Sequence, residues 1–205
     1  IGQATRAVLR MGEIVQAMLR DAQHAMEAND ESLVLDVRER DDQVDQLQRT
    51  IRTYLTALST NERLSADESE REIGLVYAVN DLDNIGDVLD KNLAELALKK
   101  IHGRHAFSPE GAADLREFHD IVSTELDRAL SSFASGDTEL AADVIAVKAR
   151  VSDLERDMRR RHIQRLYDGR TESIDTSDIH LDVLINLKRI NTHATNLAYV
   201  VAERG

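Results

Sequence analysis

The 205-residue chain has no cysteine, no tryptophan and a single proline, Pro109. Without cysteine there is no disulfide scaffold, no thiolate metal site and no cysteine nucleophile. Glycine occurs only nine times and aromatic residues make up 3% of the chain. Strand-rich sandwiches and barrels need many turns and many aromatic or β-branched residues, so this composition argues against them.

Long apolar runs are also missing. The longest uncharged run of interest, residues 190–202, covers 13 positions and includes Asn, Thr and His. A membrane-spanning helix needs about 20 apolar residues, so the sequence predicts no span. The chain begins at Ile1 rather than Met, and we therefore expect it to be a fragment of a longer protein.

What the chain has in quantity is acidic charge, with a net charge of −12. Residues 1–102 carry −8 of this and residues 103–205 carry −4. This sign disfavours nucleic acid as a partner, because phosphate backbones attract basic proteins. A cation is a suitable partner for the more acidic first half.

The few helix-stop signals divide the chain into six long helices. Ser65 and Glu68 form a capping box, and Ser108 followed by Pro109 is a helix start. Short connections predict antiparallel neighbours. The fold class expected is therefore all-α, with two tandem antiparallel three-helix bundles, residues 1–102 and residues 103–205. The hairpin between helices 2 and 3 is expected to turn near residue 62.

Helices 2 and 3 carry apolar positions at alternating steps of four and three, as in coiled-coil packing. The predicted seam of helix 2 is Leu33, Val37, Arg40, Val44, Leu47, Ile51, Tyr54 and Leu58. The predicted seam of helix 3 is Leu75, Val79, Leu82, Gly86, Leu89, Leu93 and Leu96. Residues 43–47 align with 150–154, and residues 82–87 align with 187–192, which indicates an internal duplication.

Two pairs of aspartates flank these seams. Asp41 and Asp45 share one face of helix 2, and Asp83 and Asp87 share one face of helix 3. In an antiparallel pair these faces converge, and clustered carboxylates repel unless they are protonated, paired with basic groups or bound to cations. Gly86, within the seam, would allow close approach of helix 2. The alternative is a solvated acidic face neutralised by Arg38 and Arg40.

Oxygen-only ligands suit hard cations. The metal ligands predicted are Asp41, Asp45, Asp83 and Asp87, for a divalent or trivalent cation such as Mg, Ca, Mn, Fe or Zn. The matching positions of the second half are Lys148, Ser152, Lys188 and Thr192, which cannot form a carboxylate cage.

The segments 41–45 and 83–87 resemble the two acidic motifs of the PhoU family, and residues 193–198 resemble the stretch that follows the second motif in that family. Residues 10–13, 81–93 and 187–193 are similar to the cytoplasmic C-terminal PhoU-like region of bacterial sodium–phosphate cotransporters. The resemblance implies duplicated three-helix bundles with surface metal clusters. One residue is inserted after Asp87 relative to the second half.

The resemblance implies a non-catalytic regulatory or accessory domain of a sodium-dependent phosphate transporter. It would lie at the cytoplasmic face of the membrane, with the transporter domain or phosphate-signalling proteins as partners, and a homo-oligomer is compatible with it. The alternatives are a stand-alone PhoU-type regulator and a metal-dependent enzyme on a helical bundle. A di-iron enzyme would need Glu three residues before His, and none of the seven histidines has it.

Overall fold

The computed structural model describes residues 1–61 and 64–203, and within them the chain is helical with no strand. The helices are α1 Gly2–Ala28, α2 Glu31–Asn61, α3 Ala66–Val88, α4 Glu95–His102, α5 Pro109–Ser135, α6 Thr138–Tyr167, α7 Thr171–Asp175 and α8 Ser177–Ala202. A π-helical segment, Leu89–Ala94, joins α3 to α4. The predicted all-α fold is confirmed. The expected turn near residue 62 lies outside the described residues.

Local sequence signals explain most helix ends. The Ser65 hydroxyl accepts from the Glu68 amide at 3.3 Å, and the Glu68 carboxylate accepts from the Ser65 amide at 2.9 Å, so the predicted capping box is formed. Ser108 caps α5 by accepting from the Gly111 amide at 3.1 Å. Asn29 ends α1 in the left-handed conformation, with φ of 56°.

Helix 3 of the prediction is not one continuous α-helix. The π-helical turn adds one residue to the helix without ending it, because its hydrogen bonds reach one residue further than those of an α-helix. Its position directly after Asp87 accounts for the residue inserted there relative to the second half. The short helix α7 before α8 was also not predicted.

In its first half, the predicted seam of α2 is correct at Val37 and Val44 but wrong at Arg40. The buried positions there are Val34, Val37, Asp41 and Val44, so Asp41 occupies the seam instead of Arg40. Tyr54, also placed in the seam, is 38% exposed. The predicted seam of the third helix is correct from Leu75 to Leu93. The difference matters because a buried carboxylate has a different chemistry from one that flanks a seam.

Helices α1, α2 and α3 pack with α4 in the first half of the chain, and α5, α6 and α8 pack in the second half. The halves meet where α1 contacts α5 and α3 contacts α8. Gly12 allows the first of these approaches, since a Cβ there would lie 2.6 Å from Leu130. At the second, Asp81 accepts hydrogen bonds from His193 at 2.8 Å and Asn196 at 2.9 Å. The domain division at residues 102 and 103 stays a prediction.

Among the described helices, none combines the length and the apolarity that a membrane span requires.

Candidate metal centre

Asp41 is the buried centre of the acidic patch between α2 and α3. Its residue surface is 8% exposed, and none of the described residues donates a hydrogen bond to its carboxylate. The carboxylate lies against the backbone of α3, because a Cβ on Gly86 would be 2.6 Å from Oδ1 of Asp41. Gly86 was expected to allow a close approach of helix 2. The groups of α2 that come close to Gly86 are this carboxylate and the Val44 side chain.

The ionised form of Asp41 is strongly disfavoured. Burial is the main cause, and the neighbouring carboxylates of Asp90, Asp87 and Asp45 add repulsion, which together raise the pKa of Asp41 to about 7. Burial and the neighbouring carboxylates therefore favour the protonated form of this carboxyl group. A cation placed beside it would favour ionisation and remove this cost.

Asp83 and Asp45 complete the facing pairs. Asp83 accepts a hydrogen bond from Nε2 of Gln48 on α2 at 2.9 Å. Burial, followed by the charges of Asp45 and Asp87, raises the pKa of Asp83, and the Gln48 hydrogen bond opposes this. Asp45 lies 3.6 Å from Arg49 in an exposed ion pair. The two Asp pairs therefore do converge across the α2–α3 groove, as their spacing predicts.

Lys91 supplies positive charge to the patch. Its ammonium pairs with Asp87 one turn earlier. That hydrogen bond, with smaller contributions from the charges of Asp87, Asp41 and Asp45, raises the pKa of Lys91. Lys91 lies in the π-helical segment, and its side chain is exposed. It therefore supplies an exposed counter-charge to the acidic patch.

Asp90 extends the patch to one side. The Nε of Arg38 lies 3.4 Å from Asp90, and the same guanidinium also pairs with Glu95. Burial raises the pKa of Asp90, although Arg38 opposes the shift. Arg40, the other expected neutralising residue, instead pairs with Asp21 on α1. One of the two arginines therefore neutralises this cluster.

The side chains as placed do not form a ready coordination shell. Across residues 1–61 and 64–203, no three His, Asp or Glu side chains are arranged to hold a metal ion. Asp45 and Asp87 are turned to their own basic neighbours on the same helix. The assignment of Asp41, Asp45, Asp83 and Asp87 as metal ligands stays a prediction, and it requires rotation of the exposed Asp45 and Asp87 side chains.

The second half replaces this patch with ion pairs. Lys188 corresponds to Asp83 and Glu155 to Gln48 in the aligned repeat, and Nζ of Lys188 lies 3.2 Å from Glu155. Burial alone would raise the pKa of Glu155, but its hydrogen bonds with Arg159 and Lys188 outweigh burial and hold that pKa below its usual value. Each half therefore has a side-chain hydrogen bond between the corresponding two helices, from Gln48 to Asp83 in the first half and from Lys188 to Glu155 in the second. The charges of the two partners differ between the halves.

Sequence reasoning missed three parts of the site: Lys91, Gln48 and the burial of Asp41. The spacing of four residues from Asp87 to Lys91 is a signal that could have indicated the first. The choice of Asp41 over Arg40 for the seam has no comparable signal, because either residue leaves the alternating steps of three and four between Val37 and Val44 in place.

The chain belongs to the PhoU family: the PhoU domain matches residues 8–97 and 115–201. It is 29% identical over 195 residues to the phosphate-specific transport system accessory protein PhoU homolog of Pseudomonas aeruginosa, covering 95% of this chain and 78% of that protein. The crystal structure of PhoU from Pseudomonas aeruginosa superposes with a TM-score of 0.90 at 28% identity, over 98% of this chain and 94% of that one. That Pseudomonas protein is an accessory protein of the phosphate-specific transport system.

A second kind of relative is larger. The chain is 32% identical over 206 aligned residues to the putative inorganic phosphate export protein YjbB of Salmonella typhimurium. It spans 37% of the length of that protein. The PhoU structure from Streptococcus pneumoniae, at 16% identity and a TM-score of 0.84, supports the fold alone.

Proposed function

We propose that this chain is a PhoU-type regulator of phosphate transport that acts by binding and not by turnover. The observation that carries the proposal is the similarity to the Pseudomonas accessory protein, which extends over nearly the whole chain in both sequence and structure. This favours the PhoU-type regulator over the cotransporter domain as the reading of the sequence. Its partners would be phosphate-transport or phosphate-signalling proteins.

The second candidate is a regulatory domain within a longer phosphate-transporting polypeptide. The similarity of the entire chain to a part of the export protein YjbB favours it. In that case the partner would be the membrane portion of the same protein, and the chain would lie at the cytoplasmic face. The sodium-dependent cotransporter is the narrowest form of this candidate.

A cation at the α2–α3 patch would give the regulator a means of control. Asp41 and Asp83 supply carboxylates whose ionised forms are disfavoured by burial and by mutual repulsion. A divalent or trivalent cation would relieve both, and Asp45 and Asp87 would complete its ligands after releasing Arg49 and Lys91. Binding of the cation would make this face of the protein less negative, and this would change its electrostatic attraction to a partner.

The function is tested in cells that lack the full gene encoding this chain. Complementation with the intact gene should restore the rate and the phosphate-dependence of phosphate transport, measured with radiolabelled phosphate. The Asp83→Asn/Asp87→Asn variant should restore less, and the matched exposed variant Asp157→Asn should restore fully. Transport that is unchanged by loss of the gene would overturn the proposal.

The metal is tested separately on the purified chain. Elemental analysis should find less bound metal in Asp83→Asn/Asp87→Asn than in the unmodified chain. Equal metal content in both would remove the cation from the mechanism while leaving the regulatory function in place.

The two candidate functions differ in whether the chain is part of a longer phosphate-transporting polypeptide. The length of the polypeptide detected in cell extracts distinguishes them.

A further inference from the structure

A cavity of about 250 Å³ lies where the two halves of the chain meet. Its walls come from α1, the π-helical segment, α4, the connection before α5, α5 and α8. The buried part is mostly apolar and includes Leu19, Ala22, Met26, Leu93 and Leu115, with the buried imidazole of His119 beside them. We call it the junction cavity.

The junction cavity is open to solvent on one side, since Glu27, Asn29, Ala106 and Arg116 line it and are exposed. An engineered apolar cavity of about 150 Å³ is large enough to bind benzene. The junction cavity is larger than that, and its apolar inner wall with a polar mouth is the usual design of a small-molecule site.

Lys100 is the buried cation of this cavity. The residue is 5% exposed, and no carboxylate of the described residues lies within 4.0 Å of its ammonium. Its Nζ donates to the Met26 carbonyl at 2.9 Å and to Oδ1 of Asn29 at 2.6 Å. The Phe107 ring lies 5.5 Å away, measured to its centroid.

These partners leave the ammonium incompletely satisfied. It has three N–H donors, and the described residues accept two of them. All of its contacts are to neutral groups, and burial lowers the pKa of Lys100 with no opposing carboxylate. Buried ammonium groups are costly unless they are paired with an anion.

The other charges at the mouth do not provide that anion. Glu27 is the nearest acidic residue lining the cavity, and its carboxylate is occupied by Nε of Arg116 at 2.8 Å. Lys99, next in sequence to Lys100, points to Asp178 on α8 instead. The unpaired positive charge of the cavity is therefore that of Lys100.

We propose that the junction cavity binds a small amphipathic anion, with an apolar body against Leu19, Leu93 and Leu115 and a carboxylate-type head on Lys100. The apolar wall gives the body its affinity through burial. The head accepts the third N–H of the ammonium in a charge-assisted hydrogen bond. Free inorganic phosphate does not fit, because most of the wall offers it no hydrogen bonds.

A ligand there would touch both halves of the chain at once, since the walls come from α1 and α4 on one side and α5 and α8 on the other. Its occupancy would therefore stabilise their packing. This inference is independent of the proposed function, because neither the ligand nor the site takes part in phosphate transport as argued above.

The test uses sodium decanoate below its critical micelle concentration. Decanol probes the apolar body without the negative charge, and sodium phosphate probes the negative charge without the apolar body. The methyl group of Met26 lines the cavity, and that of Met158 lies in the core of the second half. In spectra of the methyl-labelled chain, decanoate should shift the Met26 signal and leave Met158 in place. Phosphate should shift neither.

Two variants test separately the charge of Lys100 and the volume of the junction cavity. Lys100→Met removes the ammonium at similar volume and should weaken decanoate binding about tenfold or more while decanol binding is retained. Ala112→Trp fills the cavity and should abolish binding of both, with the helical circular dichroism unchanged. Decanoate that shifts nothing, or binds Lys100→Met as tightly as the unmodified chain, would overturn the proposal.

Discussion

The carboxylate of Asp41 on α2 fills the space that a side chain on Gly86 of α3 would occupy. A Cβ on Gly86 would lie 2.6 Å from Oδ1 of Asp41, so the absence of a side chain on α3 makes room for a carboxylate on α2. A glycine in the middle of a helix costs about 1 kcal/mol relative to alanine. The structure thus gives up helix stability at the position where it admits a buried acidic group.

Gly86→Ala should displace the Asp41 carboxylate and lower cation affinity. The helix gains about 1 kcal/mol in propensity, which offsets the crowding with Asp41 and Val44, so the free energy of unfolding should change little. Calorimetric metal titration and urea unfolding would measure the two effects. Gly2→Ala is the matched control, since a Cβ there meets nothing within 4 Å. An unaltered metal affinity in Gly86→Ala would contradict the prediction.

Asp41→Asn should stabilise the chain at pH 8 in the presence of a chelator. The folded state raises the pKa of Asp41 from 3.8 to about 7. Between these values the folded chain holds a proton that the unfolded chain has lost, so stability falls as pH rises through this window. We expect a gain of about 4 kcal/mol in the variant at pH 8 and little gain at pH 4. Urea unfolding at both pH values would measure it.

The exposed neighbour Asp42 provides the control for that measurement. Asp42→Asn should leave the pH-dependence of unfolding as it is in the unmodified chain. If Asp41→Asn and the unmodified chain lost stability equally between pH 4 and pH 8, Asp41 would not be the group that titrates.

Acid should destabilise the second half through His180. Burial, with the charges of His162 and Arg165, lowers the pKa of His180 to about 3. From pH 6.5 down to about 3 the unfolded chain binds a proton that the folded chain excludes, so stability falls as pH is lowered. The slope from this group reaches about 1.4 kcal/mol per pH unit. Unfolding of His180→Leu across this range should show a smaller slope.

His162 stacks on His180 at 4.4 Å, and burial also lowers the pKa of His162, so some acid sensitivity should remain in His180→Leu. The exposed His24 is the control, and His24→Leu should keep the full slope. Identical slopes in His180→Leu and the unmodified chain would show that acid acts elsewhere.

Replacement of Glu155 and Lys188 by Gln and Asp, the residues of the corresponding Gln48–Asp83 pair in the first half, should be tolerated. Lys188→Met removes one of two cations from a buried carboxylate and should cost about 1–3 kcal/mol in unfolding free energy. Glu155→Gln/Lys188→Asp reproduces the Gln48–Asp83 hydrogen bond and should be more stable than Lys188→Asp alone. A double-mutant cycle by urea unfolding measures the coupling. A double variant no more stable than Lys188→Asp alone would contradict the prediction that the Glu155–Lys188 pair can be replaced in this way.

Much of the fold could be predicted because its signals are local. The capping box at Ser65, the Ser108–Pro109 start and the αL residue Asn29 each act on the adjacent backbone, whatever lies across the bundle. The spacing of the Asp pairs also determined that both members of each pair lie on one helix face. The absence of cysteine and the scarcity of glycine and aromatics excluded whole fold classes before any packing was considered.

The tertiary structure decided the register of α2 against α3, and with it the chemistry of the site. Arg40 and Asp41 are adjacent, and either one satisfies the alternating spacing of the seam. Packing places the Asp41 carboxylate against Gly86, where a Cβ on α3 would lie 2.6 Å from it, while Arg40 pairs with Asp21 on α1. That choice, which depends on a residue 45 positions further along the chain, turns a surface carboxylate into a buried one with a pKa of about 7.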